Sequence, residues 1–238
     1  MQPIQFETSF HFRSLKASWQ FPVHNHQTKV EFEGINEATD FRNQAHPTGN
    51  NCNAKKSTYK KFKETDFFYN KQVKIILNKL NQLDDKQIQS VYGTTPDKSV
   101  ALHKDNLNIF NNQCSLAIER YTDVVFKHLD WKSLDAIEQT YINQNMRILS
   151  GLFGIVTPDT LIPNYKLKMN VQALQHFWRP ILTNILKEED LVIDLLPQVH
   201  RKSYDKKGVN VVEVEFLIFN KNSQKTSSAG HYGKAVKG

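Results

Sequence analysis

The feature that most constrains the fold is a pair of glycines, Gly151 and Gly154, in the segment LSGLFG. They follow an apolar pattern with helical spacing that ends near Leu149. Thr157 and Pro158 then favour a new helix, because threonine caps helices and proline suits the first helical position. The sequence therefore predicts a helix, a glycine turn and a second helix, an arrangement that aims backbone N–H groups at a phosphate. The alternative is that the glycines only end a helix and form a tight turn.

Length and composition favour a globular, cytoplasmic protein. The chain has 238 residues, of which 39% are hydrophobic, enough for one large domain or two small ones. No apolar run approaches the ~20 residues that span a bilayer, so we expect no contact with a membrane. The first ten residues do not resemble a secretory signal. The two cysteines, Cys52 and Cys114, favour reduced thiols, with Cys114 in the core.

Charge is unevenly distributed along the chain. The net charge is +7; residues 1–120 carry 16 Lys/Arg against 12 Asp/Glu, residues 121–200 carry 7 against 9, and residues 201–238 carry 8 against 3. A basic tail and an acidic middle fit contact with a polyanion through one surface. Simple solubility is the alternative explanation.

The periodicities indicate three regions. Residues 1–42 contain a first short strand in FHFRS, and residues 43–63, rich in Asn, Lys and Gly, are typical of a loop or linker. Residues 64–238 form the body. Helical spacing is found at 67–83, 100–110, 114–129, 133–149 and 172–187, and strand patterns at 191–196 and 209–219. These patterns predict an α/β fold, a single compact domain of mixed sheet and helices that includes the N-terminal strand.

Five short blocks in the second half of the chain resemble a known family. They are LSGLFG at 149–154, NYKLKM at 164–169, FW at 177–178 with LTN at 182–184, VIDL at 192–195, and HYGKAVKG at 231–238. The YaaA family of bacterial peroxide stress resistance proteins carries similar blocks in the same order at similar separations. The resemblance covers the chain from about residue 117 to its end.

The chain also departs from the family pattern. The family opens with a strand and an SPAK-like turn, for which only Lys16 has a counterpart here, and Val199-His200 replaces a Glu-Tyr pair before Lys202. Asn170 stands where the family has glycine, and relatives continue beyond Gly238. We therefore expect a divergent member that is shortened at its C-terminus.

The resemblance implies a YaaA-like fold with a helix-hairpin-helix-like element and a positively charged cleft. It further implies sequence-nonspecific binding of duplex DNA in the peroxide stress response, limiting oxidative damage, partly through control of free iron. The candidate nucleic-acid-binding residues are Arg147, Ser150, Gly151, Gly154, Lys166, Lys168, Lys202, Lys234 and Lys237. We expect a monomer that needs no cofactor.

Other chemistries have weaker support in the sequence. An enzyme of unknown reaction would need Lys16, Lys202 and Lys234 to line one active-site pocket, but lysines are far more often solvent-exposed surface residues, so a binding protein is favoured over an enzyme. A metal site is not expected, because the His24 and His26 pair lacks further ligands at a diagnostic spacing. Trp178 has helical spacing with its neighbours and is predicted to anchor the core.

Overall fold

A computed structural model of the chain describes residues 30–32, 60–214, 216–220, 225–228 and 234. The helices are α1 (Asn70–Leu80), α2 (Asp85–Tyr92), α3 (Pro96–Leu107), α4 (Ala117–Arg120), α5 (Val124–Leu129), α6 (Ala136–Asn145), α7 (Leu174–Lys187) and α8 (Gln198–Arg201). The strands are β1 (Val30–Phe32), β2 (Cys114–Leu116), β3 (Ile148–Ser150), β4 (Gly154–Val156), β5 (Leu161–Pro163), β6 (Val192–Asp194), β7 (Val211–Glu213), β8 (Phe216–Asn220) and β9 (Lys225–Ser228).

The strands form small sheets. β8 is paired in parallel with β1 and antiparallel with β9, and β6 and β7 form a parallel pair. The other two pairs are antiparallel. β3 and β4 are close in sequence and form a hairpin, whereas β2 and β5 are distant in sequence. The fold is therefore mixed α/β, as predicted.

The core is built around aromatic side chains from distant parts of the chain. Phe62 and Phe153 are fully buried with ring centroids 5.2 Å apart, and Tyr69 meets Trp178 edge-to-face at 5.9 Å. Trp178 is fully buried on α7, so its predicted role as a core anchor is confirmed. Phe62 lies within the segment predicted as a linker, yet it belongs to this core.

Two predicted helices are shorter than the sequence indicated. Residues 114–129 form β2, α4 and α5 rather than one helix, because Cys114–Leu116 is paired with β5. The helix predicted to run to 149 is capped by Asp135, not Ser133, and ends at Asn145. Its apolar stripe does not face the core, since Ile137 is 81% exposed.

The strand predicted as buried and apolar at 191–196 is only partly so. β6 spans three residues, of which Ile193 is exposed and Asp194 is buried. Asp194 is tolerated inside because it accepts hydrogen bonds from the Leu196 N–H at 2.6 Å and the Tyr204 hydroxyl at 2.5 Å, and pairs with Arg201 at 3.3 Å.

The first predicted strand, FHFRS, lies outside the described residues. Within the described part of the chain, no helix combines the length and apolar character needed to cross a bilayer.

Candidate nucleic-acid interface

The glycine segment predicted to join two helices is a β-hairpin. Ile148–Ser150 and Gly154–Val156 are paired antiparallel, and Thr157–Thr160 is a turn that leads into β5 rather than a helix. Ser150, Leu152 and Phe153 are buried. The helix-hairpin-helix-like element is therefore not found at this position, and these backbone groups cannot reach a duplex from inside the core.

The two glycines are required by packing. A Cβ atom on Gly151 would lie 2.5 Å from the Leu167 carbonyl oxygen, and one on Gly154 would lie 2.5 Å from the Trp178 ring. Gly154 also has φ = +74°, a conformation that side chains disfavour. Both glycines are buried and closely packed, so the structure gives no support to their predicted contact with a phosphate, which stays a prediction.

The Ser150 hydroxyl also forms its hydrogen bonds inside the protein. It accepts a hydrogen bond from the Phe153 N–H at 2.9 Å and lies 2.8 Å from the Tyr165 hydroxyl, which is 3.0 Å from that of Tyr121. This chain of hydroxyls ties the hairpin to the segment after α4. The structure therefore gives Ser150 a role in the interior and no support to its predicted contact with DNA, which stays a prediction.

An exposed helix–glycine–helix turn is found elsewhere, between α2 and α3. Gly93 ends α2 in the left-handed conformation, φ = +61°, and its N–H bonds the Gln89 carbonyl at 2.8 Å. Thr95 precedes α3 without a side-chain cap, and Pro96 is its first residue. The amides of Asp97 and Lys98 in the first turn consequently have no acceptor within the helix, and both residues are exposed.

Two of the predicted lysines lie beside this turn. The Lys168 Nζ atom is 3.8 Å from where a Cβ on Gly93 would lie. Burial lowers the pKa of Lys166, and the positive charges of Lys98 and then Lys168 lower it further. The charges of Lys98 and Lys168 thus act on the Lys166 ammonium group, and we call these three residues the lysine cluster.

Asn106 of α3 connects the α2–α3 hairpin, which we call the helical hairpin, to the segment that contains Lys166 and Lys168. It is fully buried, its side-chain amide donates to the Lys166 carbonyl at 2.8 Å, and its side-chain oxygen accepts from the Lys166 N–H at 3.1 Å. Sequence reasoning missed Asn106, Gly93 and Lys98. Gly93 and Pro96 are residue types that commonly interrupt helices, but nothing in the sequence indicates that residues 166–168 pack nearby.

The remaining predicted contacts are dispersed or lie outside the described residues. Arg147 pairs with Glu189 at 3.1 Å and donates to the Gln144 carbonyl at 2.8 Å. Lys202 is exposed at the end of α8. Lys16 and Lys237 lie outside the described residues.

Lys234 lies close enough to Asp123 for their charges to interact. Burial lowers the Lys234 pKa and Asp123 raises it; burial likewise raises the Asp123 pKa and Lys234 lowers it. Convergence of Lys16, Lys202 and Lys234 in one active-site pocket stays a prediction.

A cleft in the described part of the chain has a volume of about 500 Å³ and mixed charge. Lys60 and Arg147 line it together with Glu64 and Asp66. The two carboxylates make this cleft a poor binding site for a polyanion, because they repel its negative charge.

The chemistry of Cys114 and of metal ligands adds no second site within the described residues. Cys114 is fully buried, as predicted, and burial raises its pKa to about 11, so the inert thiol form dominates. No group of three His, Cys, Asp or Glu side chains in the described segments is placed to hold a metal ion. Cys52, His24 and His26 lie outside those segments.

Comparison with known proteins identifies relatives over most of the chain. A UPF0246 protein of Malacoplasma penetrans is 29% identical over 196 residues, 74% of this chain and 78% of the relative. A UPF0246 protein of Fusobacterium nucleatum subsp. nucleatum is 23% identical over 75% of each chain, and one of Clostridium botulinum is 30% identical over 62% of this chain and 63% of its own. The model of the family described as peroxide stress protein YaaA matches residues 47–238. The chain thus belongs to the peroxide stress protein YaaA family.

Proposed function

We propose that the protein binds double-stranded DNA without sequence preference, at a surface formed by the α2–α3 hairpin and the lysine cluster. We propose further that it does so as a monomer in the cytoplasm, and that this contact limits oxidative damage to DNA during peroxide stress. The observation that carries the proposal is the juxtaposition of an exposed left-handed glycine turn, Gly93, with Lys98, Lys166 and Lys168.

The turn supports contact with phosphate because its donors are accessible. Gly93 has open space where a side chain would be, apart from the Lys168 ammonium, so a phosphate can approach the backbone. The uncapped first turn of α3 presents the Asp97 and Lys98 amides at the positive end of the helix dipole. The lysines add positive charge on the same side of the molecule.

The same features support binding without sequence preference. Backbone amides and lysine ammonium groups recognise phosphates, which are identical in every sequence. Affinity should depend steeply on salt, because each neutralised phosphate releases counterions.

Fluorescence anisotropy of several unrelated labelled duplexes, measured from about 50 to about 200 mM salt, tests the proposal. The parent protein should bind all duplexes with similar affinity and lose affinity as salt rises. The double variant K166Q/K168Q should bind at least about tenfold more weakly, with a salt slope shallower by about 2.

The double variant K127Q/K132Q is the matched control. Lys127 and Lys132 are exposed on and just after α5, and their replacement removes the same charge from a different element. It should bind nearly as tightly as the parent. Equal losses of affinity in both double variants would show that only net charge matters. Failure of the parent protein to bind duplexes at low salt would refute DNA binding altogether.

A further inference from the structure

Resting on the proposed function, we infer that Asn106 is a positioning residue that holds Lys166 and Lys168 against the helical hairpin in the arrangement that contacts DNA. Asn106 lies in the last turns of α3 and is fully buried, so it cannot touch a duplex itself. Its side chain instead bonds both backbone polar groups of Lys166, across 60 residues of sequence. It thereby joins the two elements on which the proposed surface depends.

The hydrogen bonds fix both the orientation of the amide and the place of Lys166. The side-chain oxygen must face the Lys166 N–H, which can only donate, and the side-chain NH₂ then faces the Lys166 carbonyl at 2.8 Å. The second amide hydrogen is donated to the Tyr92 hydroxyl at 3.0 Å. Three of the four hydrogen-bonding positions of the Asn106 amide are thus satisfied by fixed partners.

Tyr92 extends this network into α2. Because its oxygen accepts from Asn106, its own proton is free for the His103 Nδ1 atom, 3.3 Å away. The chain of bonds therefore runs from the Lys166 backbone through Asn106 and Tyr92 to His103, and spans both helices of the hairpin. Residues on either side of Lys166 are held as well, since Tyr165, Leu167 and Met169 are buried.

The consequence is a lysine segment that is already in place before DNA arrives. Burial lowers the Lys166 pKa most, and the charges of Lys98 and Lys168 lower it further, so holding these like charges together adds an electrostatic cost. A segment without anchors would separate them. Preorganisation of this kind raises affinity because less freedom is lost on binding.

The test is the salt dependence of duplex binding by N106L, with Y92F as matched control. Both variants break the same buried network, but Y92F leaves the two Asn106–Lys166 bonds in place. After circular dichroism confirms that each is folded, N106L should show a salt slope shallower by about 1 to 2, whereas Y92F should keep the parent slope. A purely structural role for Asn106 would affect stability in both variants and the slope in neither.

Adding N106L to K166Q/K168Q gives the second comparison. If Asn106 acts through these lysines, the triple variant should bind no more than about twofold more weakly than the double variant. N106L with the parent slope and affinity would overturn the inference while the proposed function stands. If K166Q/K168Q also binds like the parent, the proposed surface itself is wrong.

N106A removes the same groups without adding bulk and serves if N106L does not fold. Should neither fold, hydrogen exchange on the parent protein decides. The Lys166 amide should be equally protected with and without duplex, because the segment is already held in the free protein. Protection that arises only when duplex is added would contradict the inference.

Discussion

The indole Nε1 of Trp178 donates a 3.0 Å hydrogen bond to the carbonyl oxygen of Gly151. The six-membered part of the same ring fills the place that a side chain on Gly154 would need. Trp178 thus explains why residue 154 is glycine, whereas residue 151 is glycine because a side chain there would collide with the backbone of residues 167–169. The LSGLFG segment, one of the five blocks that resemble the family, therefore packs in the core of this chain.

Gly154→Ala is therefore expected to destabilise the protein by about 3 kcal/mol, from the strained φ of +74° together with overpacking against Trp178. Urea denaturation followed by tryptophan fluorescence measures the change. Gly93→Ala is the control, since it has a similar φ of +61° but open space around its Cβ. It should cost only about 1 kcal/mol, and equal losses would show that contact with Trp178 is unimportant.

Periodicity predicted the long elements well, because their apolar residues face one core. α7, at Leu174–Lys187, lies where the spacing of Trp178 and Leu182 indicated, and α1 falls within the predicted 67–83. Both helices bury a continuous stripe of apolar residues, so apolar residues recur at helical spacing in the sequence.

The candidate site was only partly predictable. Lys166 and Lys168 were identified in the sequence, but their partners were not, since Gly93 and Asn106 lie more than 50 residues away. The glycine hairpin was assigned to the surface because a glycine needed for close packing looks the same in sequence as one needed for an exposed turn. Tertiary contact alone distinguishes them.

The buried Asp194 gives a second stability prediction. Tyr204 is almost fully buried, and burial followed by its hydrogen bond to Asp194 raises its pKa. Tyr204→Phe removes one donor from a buried carboxylate, and we expect a loss of about 1 to 3 kcal/mol in the free energy of unfolding. Tyr141→Phe, at an exposed tyrosine of α6, should change it by less than about 0.5 kcal/mol. A Y204F variant as stable as the parent would mean that Arg201 and the Leu196 N–H alone suffice for Asp194.

We expect two histidines to make the protein less stable at mildly acidic pH. Burial lowers the pKa of both His103 and His200, so the unfolded chain takes up protons at a higher pH than the folded one. Their contribution to stability is complete above the unfolded pKa and is lost as pH falls through the folded pKa. Between about pH 7.5 and about pH 6, the free energy of unfolding should drop by about 0.5 kcal/mol for each.

The variant H103Q isolates one of these histidines, because a glutamine oxygen can still accept from Tyr92 but does not titrate. Urea denaturation at the two pH values should show a smaller pH effect in H103Q than in H128Q, which removes an exposed histidine. If the two variants respond alike to pH, His103 is not a source of the dependence.

Asp97 is the acidic residue in the first turn of α3, where its charge stabilises the helix but repels a phosphate. Asp97→Asn should therefore raise affinity for duplex DNA by about threefold at low salt, while lowering the free energy of unfolding by up to about 1 kcal/mol. Asp105→Asn removes an equal charge near the other end of the helix and should change affinity less, since it lies farther from the Gly93 turn. Anisotropy titrations at one low salt concentration compare the two variants. Equal gains would indicate attraction by net charge alone, and a gain only in D97N would support contact between DNA and the start of α3.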